Sequence, residues 1–262
     1  MNFNRILLLS LALCLNTPAF SQTNTWNGKK CTVVLTYDDA LNSHLDKVIP
    51  DLNARKLKAT FYLIASSPNV ANRISEWRKA AKKGHELGNH SLNHPCDGSI
   101  PGRDWVTTEA DLSKYSVARA VHEIRIANTL LKAIDGKERR TFAYPCGDLK
   151  IGDSLYYNSL EKDFVAARGV IPGYLKTTEV NFSDVNAFNQ SQTTGEQMIE
   201  QVKQAEKTGT LIVFLFHGVG GEHNLNVDLA EHTKLLDYLK KNKKNIWVAP
   251  MVEIAEYLKR KG

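Results

Sequence analysis

The sequence predicts an α/β fold in which parallel strands are wrapped by helices. Two observations carry this. Strand-like and helix-like segments alternate along the chain with no Pro-, Gly- or Ser-rich linker between them, the signature of strands joined by crossover helices. Polar clusters fall at the C-terminal ends of the predicted strands, where doubly wound sheets and barrels both build their sites. A length of 262 residues suits one such domain, and 42% hydrophobic residues exclude wholesale disorder. No internal repeat, GxGxxG turn or P-loop lysine is present, so repeat architectures and nucleotide binding lack support.

The elements follow in order. The β-branched run 31–37 ends at two aspartates and reads as the first strand. A helix is predicted over 43–55, with Leu45, Val48, Ile49 and Leu52 at the spacing of one helical face. A strand over 58–64 precedes a helix over 71–83, which Gly84 stops. A short strand at 86–88 leads into a polar loop. A long helix is predicted over 108–134, with Leu112, Val121, Ile124, Leu131 and Ile134 inward and Gly136 at its end. Segments 141–145 and 164–168 read as strands. The strongly apolar strand 210–217, a helix over 228–241, a strand over 245–248 and a helix over 251–258 complete the series.

Residues 1–21 stand apart. Arg5 supplies a positive charge, 6–15 is an apolar run, and Ala19 and Ser21 place small residues before Gln22. This is the pattern of a secretory signal peptide cleaved before Gln22. The run is shorter than the ~20 residues that span a bilayer, and Leu13 before Cys14 fits a lipidation site poorly. An exported domain over 22–262 is therefore expected, with no stable membrane partner. Net charge is +6, but the basic residues are spread out, apart from runs at 240–244 and 259–261 that read as solvated helix ends. No basic stripe is interleaved with aromatics, which argues against nucleic acid. Three cysteines lie beyond the leader, Cys31, Cys96 and Cys146. One at least stays unpaired, and a Cys96–Cys146 bridge is possible.

Four polar clusters follow strand ends: Thr36-Tyr37-Asp38-Asp39, His90-Ser91-Leu92-Asn93-His94, Ala143-Tyr144-Pro145-Cys146-Gly147 and Leu215-Phe216-His217-Gly218. His90 and His94 have the i, i+4 spacing that places two imidazoles on one side of a helical turn, as metal ligands often lie. Solvated histidines in a polar loop are the alternative. Two adjacent carboxylates ending an apolar strand repel each other and lose hydration. A metal held by one removes that penalty and leaves the other as a base. A helix N-cap would account for only one of them. Two histidines and a carboxylate leave open positions on a metal, the pattern of a hydrolytic site. His217 ends the most apolar strand and reads as a general acid, or as a core histidine bonded to a backbone carbonyl.

These motifs, in the order Thr36-Tyr37-Asp38-Asp39-Ala40, the segment from Gly84 to His94, the segment from Phe142 to Gly147, and Leu215-Phe216-His217, resemble those of the polysaccharide deacetylases (carbohydrate esterase family 4, the NodB homology domain). The resemblance spans about residues 30–258. It implies a single-domain distorted (β/α) barrel of seven or eight parallel strands. It further implies that Asp39, His90 and His94 bind a divalent metal, most often Zn2+, with Co2+ or Ni2+ possible. By the same resemblance Asp38 is the base toward the attacking water, the Cys146 backbone N–H helps hold the oxyanion, His217 is the acid, and Leu215 lines an acetyl pocket. The implied partner is an acetylated poly- or oligosaccharide, with N-acetyl (chitin, peptidoglycan) and O-acetyl (xylan) both open. A small-molecule amidohydrolase and a carbohydrate-binding protein without activity are the competing readings.

The departures are informative. The first motif ends in Ala40 where the family has Gly. The third has Ala143 where the family usually carries an Arg that holds the base. Arg168 stands at a later strand end where an Asp usually orients the catalytic histidine. Arg168 is therefore expected to reach Asp38, with a surface carboxylate as its alternative partner. Arg139 and Arg140 compete for the role but precede their strand. Asp184, Glu222 and Asp163 are candidate partners of His217. The stretch 169–190 is expected to shape a groove. Tyr144, Trp105 and Tyr174 are candidates to stack on sugar rings, with core packing the common alternative. His44, His122 and His232 are expected to be solvated, and His85 to be structural.

Overall fold

The computed structural model describes residues 26–261; the expected leader and Cys14 lie outside them. Eight strands make one parallel sheet: β1 (Cys31–Asp38), β2 (Thr60–Leu63), β3 (Glu86–Asn89), β4 (Phe142–Ala143), β5 (Ala167–Arg168), β6 (Phe188–Asn189), β7 (Leu211–Phe216) and β8 (Ile246–Val248). Their order is β5-β4-β3-β2-β1-β7-β6. β8 pairs with the first half of β1, and β2 with its second half. The sheet curls until its edges meet. Val185 bridges to Arg168 on one side, and three residues later Phe188 pairs with Phe214 on the other. This is a distorted (β/α) barrel in a single domain, as expected.

Strand alternation divides the core. Val33, Leu35 and Tyr37 of β1 face outward with Ile212, Phe214 and Phe216 of β7, under the helices α1 (Ile49–Arg55), α3 (Ile74–Lys82), α5 (Gly195–Thr208) and α6 (Leu229–Lys241). Tyr37 stacks on Phe61 and Phe216 of the two neighbouring strands, with ring centroids 5.0 and 5.2 Å apart. The other face of β1 and β7 presents Val34, Val213 and Leu215, which pack with Ile254 and Leu258 of α7 (Met251–Lys259). Asp38 belongs to this inner face, at the C-terminal mouth.

Several expectations change. The helix over 43–55 opens as a π-turn, His44–Val48, before α1. The helix over 71–83 is two pieces, α2 (Pro68–Asn72) and α3, broken at Arg73, whose guanidinium binds Asp46 and Glu76. The long helix α4 spans Val117–Asp135, because Ser116 caps it and the preceding residues form separate 3-10 turns around Asp111. Gly136 ends it in the left-handed region, φ 73°. α5 was not expected at all. Its signal is a capping box, Thr194 with Gln197, ahead of Met198, Val202 and Ala205 on one buried face.

His44 and His232 are not solvated. Both are fully buried: His44 Nε2 donates to the His217 carbonyl at 2.8 Å, and His232 Nε2 lies 2.7 Å from the Tyr37 hydroxyl. His122 is exposed and His85 buried, as expected. No described helix is long and apolar enough to cross a membrane.

Candidate active site

β1 delivers both aspartates to the barrel mouth. Asp38 still belongs to the strand. Asp39 and Ala40 then turn in the left-handed region, φ 78° and 55°. The Asp39 carboxylate is carried by that turn, and its backbone N–H is tied to the Tyr62 carbonyl at 3.1 Å. A left-handed pair without glycine costs on the order of 1–2 kcal/mol per residue and persists because the surroundings enforce it.

The histidine pair is built differently from the sequence expectation. Residues 90–94 form no helical turn; Ser91 and His94 are left-handed, φ 64° and 52°, and the Ser91 hydroxyl accepts the His94 N–H at 2.9 Å. This tight loop sets the two rings edge to face with centroids 4.7 Å apart. His90 Nδ1 bonds the Ala143 carbonyl at 2.9 Å, so its proton is on Nδ1 and the Nε2 lone pair faces the site.

Asp39 Oδ1 lies 3.5 Å from His90 Nε2 and 3.6 Å from His94 Nε2, and this buried oxygen has no hydrogen-bond partner among the described residues. Ligand atoms around one tetrahedral ion with bonds of about 2.0–2.1 Å stand roughly 3.4 Å apart. Two separations of that size, with all three donor atoms within 4.8 Å of one another and one of them an otherwise orphaned carboxylate oxygen, fit a divalent metal. Burial pushes His90 down to about 3 and also lowers His94, keeping both rings neutral as ligands must be. Burial, then the neighbouring Asp38, raises the Asp39 carboxyl. A bound cation would reverse that cost.

Arg168 reaches Asp38. It is fully buried and hydrogen-bonds Asp38 Oδ2; its other terminal nitrogen donates to the Gly169 carbonyl at 3.1 Å, and the guanidinium lies 5.1 Å over the Tyr62 ring. Tyr62 can lie there because β3 carries glycine opposite it: a Cβ on Gly88 would stand 2.4 Å from the ring. Burial alone would raise the Asp38 carboxyl. Arg168, with His90 and His217, outweighs it and holds the group below the ordinary carboxylate range. Asp38 Oδ1 is left without a hydrogen-bond partner among the described residues. The rival arginines point elsewhere: Arg140 is buried against Asp135 and the Leu87 carbonyl, and Arg139 pairs with Glu256.

His217 follows β7 and lines the same cavity, of about 330 Å³, as Asp38, Asp39, His90 and His94. Burial lowers its pKa, against the pull of Asp38 and Asp39. None of its three candidate partners bonds it. Asp163 binds Arg125, Glu222 accepts from the N–H groups of Asn42 and Ser43, and Asp184 packs against Gly169. Among the described residues His217 Nδ1 has no hydrogen-bond partner; the ring instead stacks on His223, centroids 4.8 Å apart and planes at 14°. His223 lines the cavity too. It lay outside the sequence reading because its glycine-rich loop carries no periodicity.

Cys146, Leu215, Tyr144 and Trp105 all line this cavity. Cys146 is left-handed, φ 55°, and is disulfide-bonded to Cys96, Cα atoms 5.7 Å apart; among the described residues Cys31 is unbridged and buried. Leu215 points inward beside the site. Tyr144 is packed among Phe142, Tyr156 and Tyr157 and donates to the Ser183 carbonyl at 2.7 Å, a core role more than a platform. Tyr174 likewise packs on Phe188, centroids 4.9 Å apart. Trp105 is 63% exposed at the rim. From the stretch 169–190, Val170 and Asn189 form part of the wall.

Residues 26–162 match the polysaccharide deacetylase family, and the chain belongs to it. It is 28% identical over 153 residues to the bifunctional xylanase/deacetylase of Pseudobutyrivibrio xylanivorans, covering 58% of this chain and 22% of that protein. It is 35% identical over 71 residues to the peptidoglycan-N-acetylglucosamine deacetylase of Bacillus cereus, covering 25% of this chain and 24% of that one. The chain spans between 22% and 35% of the length of the curated relatives it matches. Among solved structures, the family 4 acetyl xylan esterase from Clostridium thermocellum, in complex with a cobalt ion, superposes with a TM-score of 0.55 at 19% identity over 86% of this chain and 91% of that one, a likeness of fold.

Proposed function

We propose that the protein is an exported, metal-dependent hydrolase that removes acetyl groups from a carbohydrate, with Asp38 as base and His217 as acid. The observation that carries the reading is the orphaned Oδ1 of Asp39 facing His90 and His94 in one cavity with Asp38 and His217. Family membership supports the deacetylation. The relatives named for xylan and for peptidoglycan keep both O-acetyl and N-acetyl substrates in view. The disulfide suits an oxidising compartment.

Asp39, His90 and His94 would hold the ion, with zinc the first choice for two imidazoles and a carboxylate. The chemistry supplied by a bound divalent ion is that of a Lewis acid, lowering the pKa of water and polarising the acetyl carbonyl. Asp38 is held anionic by Arg168 and keeps Oδ1 unpartnered, so it accepts a proton from the attacking water. His217 carries a proton to the departing nitrogen or oxygen. Burial makes its protonated form the stronger acid. The Cys146 N–H stabilises charge on the acetyl oxygen, Leu215 contacts the acetyl methyl, and Trp105 offers an exposed ring to a neighbouring sugar.

The test is acetate release from acetylated xylan, chitooligosaccharides and peptidoglycan by protein stripped of metal and then reloaded with zinc or cobalt. Release that appears only on reloading is the expected result, and the preferred substrate separates ester from amide. No release from all three with metal bound would overturn the reading in favour of a small-molecule amidohydrolase or a carbohydrate-binding protein.

A further inference from the structure

The loop 218–227 is anchored beside Asp39. Glu222 accepts from the backbone N–H groups of Asn42 and Ser43 at 3.0 and 2.6 Å, and Lys47 Nζ donates to the Gly220 carbonyl at 2.6 Å. Asn226 Oδ1 accepts the Gly221 N–H at 2.7 Å, and Gly218 is packed so tightly that a Cβ there would lie 2.5 Å from the Gly221 carbonyl. The loop therefore holds His223 in a defined place.

His223 Nδ1 accepts the Leu225 N–H at 3.0 Å, which puts the ring proton on Nε2. Nε2 lies 3.8 Å from Asp39 Oδ2, while the other oxygen, Oδ1, makes the contacts to His90 and His94. The same ring is the stacking neighbour of His217, whose Nδ1 has no hydrogen-bond partner among the described residues. One side chain thus faces both a metal-ligand carboxylate and the acid.

We infer that His223 is a positioning residue: its Nε2–H steadies Asp39 Oδ2 so that Oδ1 stays turned toward the two histidines, and its ring fixes the plane of His217 where an acidic partner is absent. This rests on the metal-site reading above and goes beyond it. Groups that orient metal ligands through a second contact are worth roughly 10–100-fold in affinity or activity.

Two variants separate the halves. His223→Phe keeps a ring for His217 and removes the N–H; His223→Gln keeps a donor and removes the ring. Zinc affinity is read on metal-free protein by competition with a chromophoric chelator, without substrate, and kcat and KM are read at saturating zinc on the substrate the wild type hydrolyses. His223→Phe is expected to weaken zinc about 10–100-fold and to recover kcat once saturated. His223→Gln is expected to keep zinc affinity within about threefold and to lose kcat by roughly tenfold or more at unchanged KM. Wild-type values in both variants overturn the inference. So does an equal loss of both quantities in both variants with a lowered melting temperature, which would make His223 a support of the fold only. A wild type that binds no zinc overturns the metal centre itself, and that failure is distinct from unchanged affinity in variants of a zinc-binding wild type.

Discussion

Replacing Arg168 with Met tests the least conventional feature of the site. The substitution keeps an unbranched apolar stem in a fully buried position and removes the charge together with the guanidinium donors to Asp38 and the Gly169 carbonyl. Two effects follow. Breaking a buried ion pair from one side costs about 3–5 kcal/mol, a drop in melting temperature on the order of 10 °C for a domain this size. Burial then acts on the Asp38 carboxyl without its main opponent. An ion pair at about 4 Å and an effective dielectric of about 20 is worth ~4 kcal/mol, so its loss lets the Asp38 carboxyl rise. Asp38 is depressed in the wild type. Its contribution to stability is therefore present above the ordinary carboxylate value and lost as pH falls through the depressed one. The melting difference between wild type and Arg168→Met should be largest near neutrality and should narrow in acid. The acidic limb of the pH–rate profile for acetate release should move to higher pH, with zinc content unchanged because Arg168 hydrogen-bonds none of the three proposed metal donors. An acidic limb and a melting temperature both indistinguishable from wild type would refute the reasoning.

Burial depresses His44 and His232 to about 4 each, so the neutral rings favour the fold above about 6.5 and that stability is lost as pH falls from about 6.5 to 4, by a few kcal/mol. Calorimetry on metal-free protein should show the melting temperature falling over that window, less steeply in a Tyr37→Phe/His232→Leu double variant; a flat wild-type curve contradicts this. Reduction of Cys96–Cys146, which closes a separation of 50 residues, should cost up to about 4 kcal/mol on the chain-entropy account and lower turnover through Cys146, read as melting temperature and acetate release with and without a dithiol. Trp105→Ala should raise KM roughly fivefold on oligosaccharides, for ~1 kcal/mol of lost ring contact, and leave kcat within about twofold. An unchanged KM would remove Trp105 from the binding surface.

The parts of the fold legible in the sequence were those with local signals. β1 and β7 announce themselves as β-branched or apolar runs, and α6 by its periodicity and the Asp228 cap. Closure of the barrel was not legible, because it passes through Val185 and the two-residue strand β6, whose pairing depends on contacts far away in the chain. α5 carried a readable signal in Thr194 and Gln197 but lies in a polar stretch. The contact of Arg168 with Asp38 could be anticipated because both end parallel strands and so share one mouth of the barrel. His44 and His232 were misjudged because helical position does not say which face is inward. Their partners, the His217 carbonyl and Tyr37, are brought by another strand. His223 was missed for the opposite reason: its place is set by backbone turns at Gly220, Gly221 and Glu222, φ 69°, 117° and 72°, which leave no periodic trace.

The central claim is a division of labour between two adjacent carboxylates, Asp39 for the ion and Asp38 for the proton. Measuring bound zinc and acetate release side by side in Asp38→Asn and Asp39→Asn tests it most directly. The account predicts that Asp38→Asn keeps about one zinc per chain while turnover falls by about 10²–10⁴-fold, and that Asp39→Asn loses zinc and activity together. An Asp38→Asn protein that loses its metal, or that turns over at the wild-type rate, would contradict it.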